Sequence, residues 1–101
     1  MASIQGCLLD LSGVLHVGSA PLPGAGEALT RLRRLPLGLR FLTNTSRTPH
    51  ALLLAQLNSM GLEIAADELL TAPLATRWVL EQRGLRPYLL IHPHLRPDFA
   101  G

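Results

Sequence analysis

Two short polar clusters hold the residue types from which chemistry can be built. The first, Asp10-Leu11-Ser12-Gly13, follows directly on the apolar run Cys7-Leu8-Leu9, and the second, Thr43-Asn44-Thr45-Ser46-Arg47, follows Leu39-Arg40-Phe41-Leu42. A carboxylate at the end of a buried strand must be paired, cap a turn or serve a reaction, because burying an unpaired charge is costly. So placed, Asp10 can act as a nucleophile or a metal ligand, and the glycine lets backbone N–H groups approach an oxyanion. The competing reading is an Asx-turn in which the carboxylate accepts from the amides of Ser12 or Gly13. The second cluster adds hydroxyls, an amide and a guanidinium, a set suited to an oxyanion but also common where a helix begins.

Composition bounds what these clusters can belong to. The 101 residues suffice for one domain or part of one, with about two-thirds of the unfolded surface available for burial. Hydrophobic residues make up 48% and only four are aromatic, so aliphatic side chains must carry the core. The single cysteine, Cys7, has no internal partner and reads as a reduced, buried thiol. No basic segment precedes the first apolar run, and no stretch approaches the ~20 apolar residues of a membrane helix. A cytoplasmic protein with no membrane partner is the expectation.

All nine basic residues are arginine. Their one cluster, Arg31, Arg33 and Arg34, lacks interleaved aromatics and reads as the solvated face of a helix, so no nucleic-acid partner is expected. The absence of lysine rules out a P-loop or a Schiff-base site within this chain. His92-Pro93-His94 reads as surface loop, and the Gly24-Ala25-Gly26 string lacks the third glycine of a dinucleotide fingerprint.

Four apolar runs alternate with three helical patterns. Strands are predicted at about Gly6 to Leu11 (a continuous run, as in a strand covered on both faces), through "LGLRFLTN", at Leu69 to Thr71 and through Pro87 to His92. The "EALTRLRRL" string places Ala28, Leu29, Leu32 and Leu35 on one face of a helix. A second helix reads from Thr48 as N-cap and Pro49 as first residue, with Leu53, Leu54, Leu57 and Met60 on one face and Gly61 as stop. The third runs from about Pro73 to Arg83, with Trp78, like Tyr88, expected to pack on the sheet. Alternation of this kind predicts an α/β, Rossmann-like parallel sheet with helices on both faces and right-handed crossovers. Ligands of such sheets bind outside the carboxyl ends of the strands, where both polar clusters would face one another.

The strings "LLDLSGVLHVGSAPLPGAGEALTRLR" and "LRFLTNTSR" together resemble the haloacid dehalogenase superfamily of phosphohydrolases, in its branch with a large inserted cap. The resemblance covers essentially the whole chain, including Pro23 to Ala25 and "GLRPYLLIH". It implies that Asp10 is the nucleophile that carries an aspartyl phosphate and also a ligand of Mg²⁺. It implies that Ser12, at the motif's second acidic position, offers its backbone carbonyl to the metal. Leu11, Ser12, Thr43 and Asn44 would then surround the phosphoryl group of a small phosphorylated substrate.

Two departures from that pattern carry consequences. Where many members have Asp-x-Asp, this chain has Asp10-Leu11-Ser12, and a serine is a poor general acid at neutral pH. Losing a positioned acid typically costs ~10²–10⁴ in rate, so leaving groups that need little protonation, as in pyrophosphate and P–N compounds, are the expected substrates. The family's later lysine and acidic metal-ligand motifs are also missing. The resemblance therefore makes residues 1–101 the N-terminal part of a core domain, ending at or near the start of the cap. Alone, the chain is expected to be inactive and poorly soluble or a homo-oligomer, because its first strand would be an exposed apolar edge. The alternative function is that of a truncated or degenerate, non-catalytic homologue that binds a phosphate ligand or a protein partner.

Overall fold

The computed structural model describes residues 3–100. In chain order its elements are β1 (Gly6–Asp10), β2 (His16–Val17), β3 (Ala20–Pro21), α1 (Ala25–Arg33), β4 (Gly38–Thr43), α2 (His50–Ser59), β5 (Leu69–Thr71) and α3 (Ala72–Gln82). Short 3-10 turns cover Ala66–Glu68 and Pro93–Phe99. The parallel sheet has the order β1-β4-β5, with Asp10 level with Leu42 and Thr43 level with Thr71. The small antiparallel ribbon of β2 and β3, unforeseen in the sequence, follows the first polar cluster.

Each helix is shaped by identifiable local chemistry. Gly24, at φ +83°, opens α1 in a conformation that a side chain would strain, and Glu27 and Arg33 sit at the ends that the helix dipole favours. The helix α2 begins one residue later than predicted: Pro49 is the N-cap, extended at φ −65° and ψ 154°, and Thr48 is outside it. The cap's missing side-chain acceptor comes from far along the chain, since His50 N–H donates to both carboxylate oxygens of Asp98 at 3.1 and 3.3 Å. In α3 the N-cap is Thr71, whose Oγ1 accepts from Leu74 N–H at 3.3 Å.

The core lies on one face of the sheet. Leu39, Phe41 and Leu69 point into it and meet Leu29 of α1 and Leu53 and Leu57 of α2, with Phe41 wholly buried. The helix α3 lies on the opposite side, where Ala72 and Ala75 line a groove with Leu8, Leu42 and Leu70. That second face is largely uncovered, with Leu8 68% exposed. The molecule is accordingly a slab of 42 × 37 × 18 Å. Its accessible surface is 7244 Å², against about 5,600 Å² expected from its mass.

Four further expectations are corrected. The strand β1 alternates exposed and half-buried residues, so it is covered on one face only, and its edge away from β4 is free. Pro87 to His92 forms no strand, for no neighbouring strand pairs with it. Trp78 and Tyr88 do not pack on the sheet; they are 62% and 90% exposed. Cys7 is free but only half-buried. Among the described residues no helix is long and apolar enough to cross a membrane.

Candidate functional site

In-register ends of three parallel strands bring the two polar clusters to one place. Asp10 closes β1, Thr43 closes β4 with Asn44 just beyond, and Thr71 closes β5. Together with Ala72 they line a cleft of about 550 Å³ whose remaining wall is Leu8, Leu9, Leu42, Leu70 and Ala75. The cleft therefore has a polar rim at the carboxyl ends and an apolar flank running down the uncovered sheet face.

The carboxylate of Asp10 is poised by its own backbone. Its Oδ1 accepts from Leu11 N–H at 2.8 Å, and Oδ2 has no hydrogen-bond partner among the described residues. The Asx-turn is not formed. Gly13 N–H instead donates to His16 O at 2.8 Å, and Leu11 O accepts from Val14 and Leu15 N–H at 3.0 and 2.8 Å. Backbone bonds thus hold the turn, and the carboxylate is left available. Across the cleft, Thr43 Oγ1 accepts from Thr45 N–H at 3.4 Å, which fixes the start of the second loop. Asn44 is exposed, and its amide has no hydrogen-bond partner among the described residues.

Leu11 and Ser12 do not line this cleft. Leu11 is 1% exposed and its side chain is part of the core. Ser12 is exposed and bridges to His16, and the bridging bonds run through Leu11 O and Gly13 N, leaving the Ser12 carbonyl out of them. As metal donors, the Asp10 carboxylate and the Ser12 carbonyl are hard oxygens of the kind Mg²⁺ takes, alongside water and substrate phosphate. No group of three or more His, Cys, Asp or Glu side chains converges among the described residues. Arg47 lies outside the cleft lining.

Sequence reasoning missed Thr71, although the signal was present. The string Leu70-Thr71-Ala72-Pro73 repeats the grammar of the other two clusters, a small polar residue where an apolar strand ends. Asp98 is 6% exposed and holds α2 in place, with Arg77 donating to its backbone carbonyl at 3.3 Å.

Comparison with known proteins bears on this arrangement. A family model described as haloacid dehalogenase-like hydrolase matches residues 7–100. Human haloacid dehalogenase-like hydrolase domain-containing protein 2 is 41% identical over 99 residues, 98% of this chain and 38% of the relative. Rat phospholysine phosphohistidine inorganic pyrophosphate phosphatase is 41% identical over 103 residues, again 98% of this chain and 38% of the relative. Among solved structures, the p-nitrophenyl phosphatase of Archaeoglobus fulgidus superposes with a TM-score of 0.86 at 26% identity, covering 97% of this chain and 38% of that one. The chain thus spans a little over a third of the length of the proteins it matches.

Proposed function

Because the chain belongs to the haloacid dehalogenase-like hydrolase family, a family whose matched members include phosphatases, we propose that in a longer protein it supplies the nucleophile of a phosphohydrolase. The observation that carries this reading is the available Oδ2 of Asp10 on the cleft that Thr43 and Asn44 also line. The carboxylate forms a P–O bond as the bond from phosphorus to the leaving group breaks, and the leaving group takes a proton from water. A second water then hydrolyses the aspartyl phosphate, which releases phosphate and restores the carboxylate. Thr43 and Asn44 orient the phosphoryl oxygens by hydrogen bonding as charge spreads over them. Mg²⁺, held by the Asp10 carboxylate and the Ser12 carbonyl, would supply charge neutralisation at the transferring group.

Ser12 in place of an acid favours leaving groups that need no proton from the protein, and a relative named for phospholysine, phosphohistidine and pyrophosphate is 41% identical. The substrate class we propose is therefore pyrophosphate and P–N phosphoamino acids. Phosphate release from pyrophosphate, phosphohistidine and a sugar phosphate, measured with Mg²⁺ on the longer protein, tests it. An advantage of about 10²-fold for the first two is expected, and a large advantage for the sugar phosphate overturns it. The 101-residue chain alone should show no turnover. Phosphate binding without turnover in the longer protein would instead mark a non-catalytic homologue.

A further inference from the structure

The second polar cluster contains a cation that the proposed chemistry leaves unused. Arg47 lies in the segment 44–49 that leads from Thr43, at the end of β4, to His50, at the start of α2. It is exposed, and among the described residues no carboxylate pairs with it; the ion pairs found there join Arg33 to Glu68 and Arg77 to Glu81. The Asp98 carboxylate, which reaches the start of α2, is taken up by His50 N–H. Arg33 and Arg40 line a hollow where the strands begin, and Arg40 is turned onto Leu39 O at 2.7 Å. Arg47, by contrast, extends the strand end that carries Thr43 and Asn44. Its Cα is at most ~11 Å from that of Asn44, three residues back, yet it stays outside the lining of the cleft.

Resting on the phosphohydrolase reading, we propose that Arg47 binds leaving groups that are themselves phosphates, and so sets a preference for pyrophosphate within the proposed substrate class. In-line displacement puts the leaving oxygen opposite the attacking carboxylate. Asp10 closes β1, so the departing group lies outward of the strand ends, on the side where the chain continues past Thr43. As pyrophosphate is cleaved, Asp10 forms a bond to one phosphorus and the bridging oxygen keeps the electron pair of the broken P–O bond. The departing orthophosphate then carries charge that a counter-ion can stabilise, and any proton it takes comes from water. A guanidinium offers a fork of N–H donors to two of its oxygens and gives up no proton. Where Ser12 stands in place of an acid, a positioned positive charge thus stabilises the departing anion instead. Phosphoimidazole is the contrasting case. Protonated on its other ring nitrogen, its imidazole leaves as a neutral ring, from which a cation gains nothing. The transferring phosphoryl group is common to both substrates, so a residue acting on that group affects both alike.

Turnover of pyrophosphate and of phosphoimidazole by the longer protein with Mg²⁺ separates these roles. Arg47→Gln should lower kcat/KM for pyrophosphate by about 10²-fold, and that for phosphoimidazole by no more than about 3-fold. Arg47→Lys, which keeps the charge and loses the fork, should fall between the parent and Arg47→Gln on pyrophosphate. Equal losses on both substrates, or an unchanged ratio between them, overturn the proposal and leave the phosphohydrolase reading standing. A carboxylate elsewhere in the longer protein that already neutralises Arg47 would give that unchanged ratio together with a lower melting temperature for Arg47→Gln. A parent that turns over neither substrate overturns the phosphohydrolase reading, and this inference with it.

Discussion

Where the strands begin, Arg33 donates to both carboxylate oxygens of Glu68 at 2.8 Å and to the carbonyl of Glu63 at 2.7 Å. Glu68 also accepts from Ala65 N–H at 3.0 Å, and Asn58 bonds Leu54 O, Ile64 O and Ile64 N–H. Where the strands end, Asp10 and Thr43 each bond, among the described residues, only a backbone N–H one or two residues on. The two ends hold similar residue types and use them in opposite ways. At the beginning, polar groups satisfy one another and tie α1 to the chain entering β5. At the carboxyl ends they are held in place by their own turns and leave acceptor capacity for something else. Satisfied polar groups define a structure, and groups positioned but unsatisfied define a site.

The widest separation between the ends should come from Asp10→Asn. In the longer protein it should lower turnover by about 10³-fold or more, while the melting of the 101-residue chain shifts by no more than about 0.5 kcal/mol. A large loss of stability would make Asp10 a structural residue and erase the contrast. Asp98→Ala should do the reverse and cost about 1–2 kcal/mol in chemical denaturation, because it strips the acceptor from the start of α2. It marks a carboxylate beyond the strand ends that is already spent on structure. Glu68→Gln should cost about 1 kcal/mol or less, since one partner of the pair is partly solvated.

That last contribution carries a pH signature. Hydrogen bonding from Arg33, and then from the Ala65 amide, holds the Glu68 carboxyl below its ordinary value of 4.5. A carboxyl depressed in the folded state stabilises fully above the ordinary value and loses that stabilisation as pH falls through the depressed one. The stability difference between the parent and Glu68→Gln, followed by urea unfolding, should therefore vanish on acidification. A difference that persists or grows at low pH would show that the pair is not its source.

The sequence made the sheet and its two polar clusters legible because both rest on local signals. Apolar runs ended by Asp10 and by Thr43 need no partner to be recognised, and Gly61 and Gly84 stop their helices at φ +84° and +62° as expected. What failed depended on distant partners. Pro87 to His92 has a strand's composition, but a strand exists only beside another, and here Tyr88 and Leu90 are 90% and 89% exposed. Thr48 looked like a cap, yet the acceptor came from Asp98, 48 residues away. Beside Asp10, the Leu11 side chain is buried in the core and Ser12 is exposed.

The slab shape also bears on how the molecule responds to heat and denaturant. An unfolded chain of this mass exposes about 15,800 Å², so folding to the observed surface removes roughly 54% of it, where about two-thirds is usual. Heat capacity change and urea dependence both scale with the area released on unfolding. For the single chain, calorimetry should therefore give a heat-capacity increment below the about 1.2–1.5 kcal/mol/K usual for 100 residues. The stability curve would be shallow in temperature and the unfolding transition broad, since cooperativity draws on buried area that this chain, with one sheet face bare, has not yet acquired.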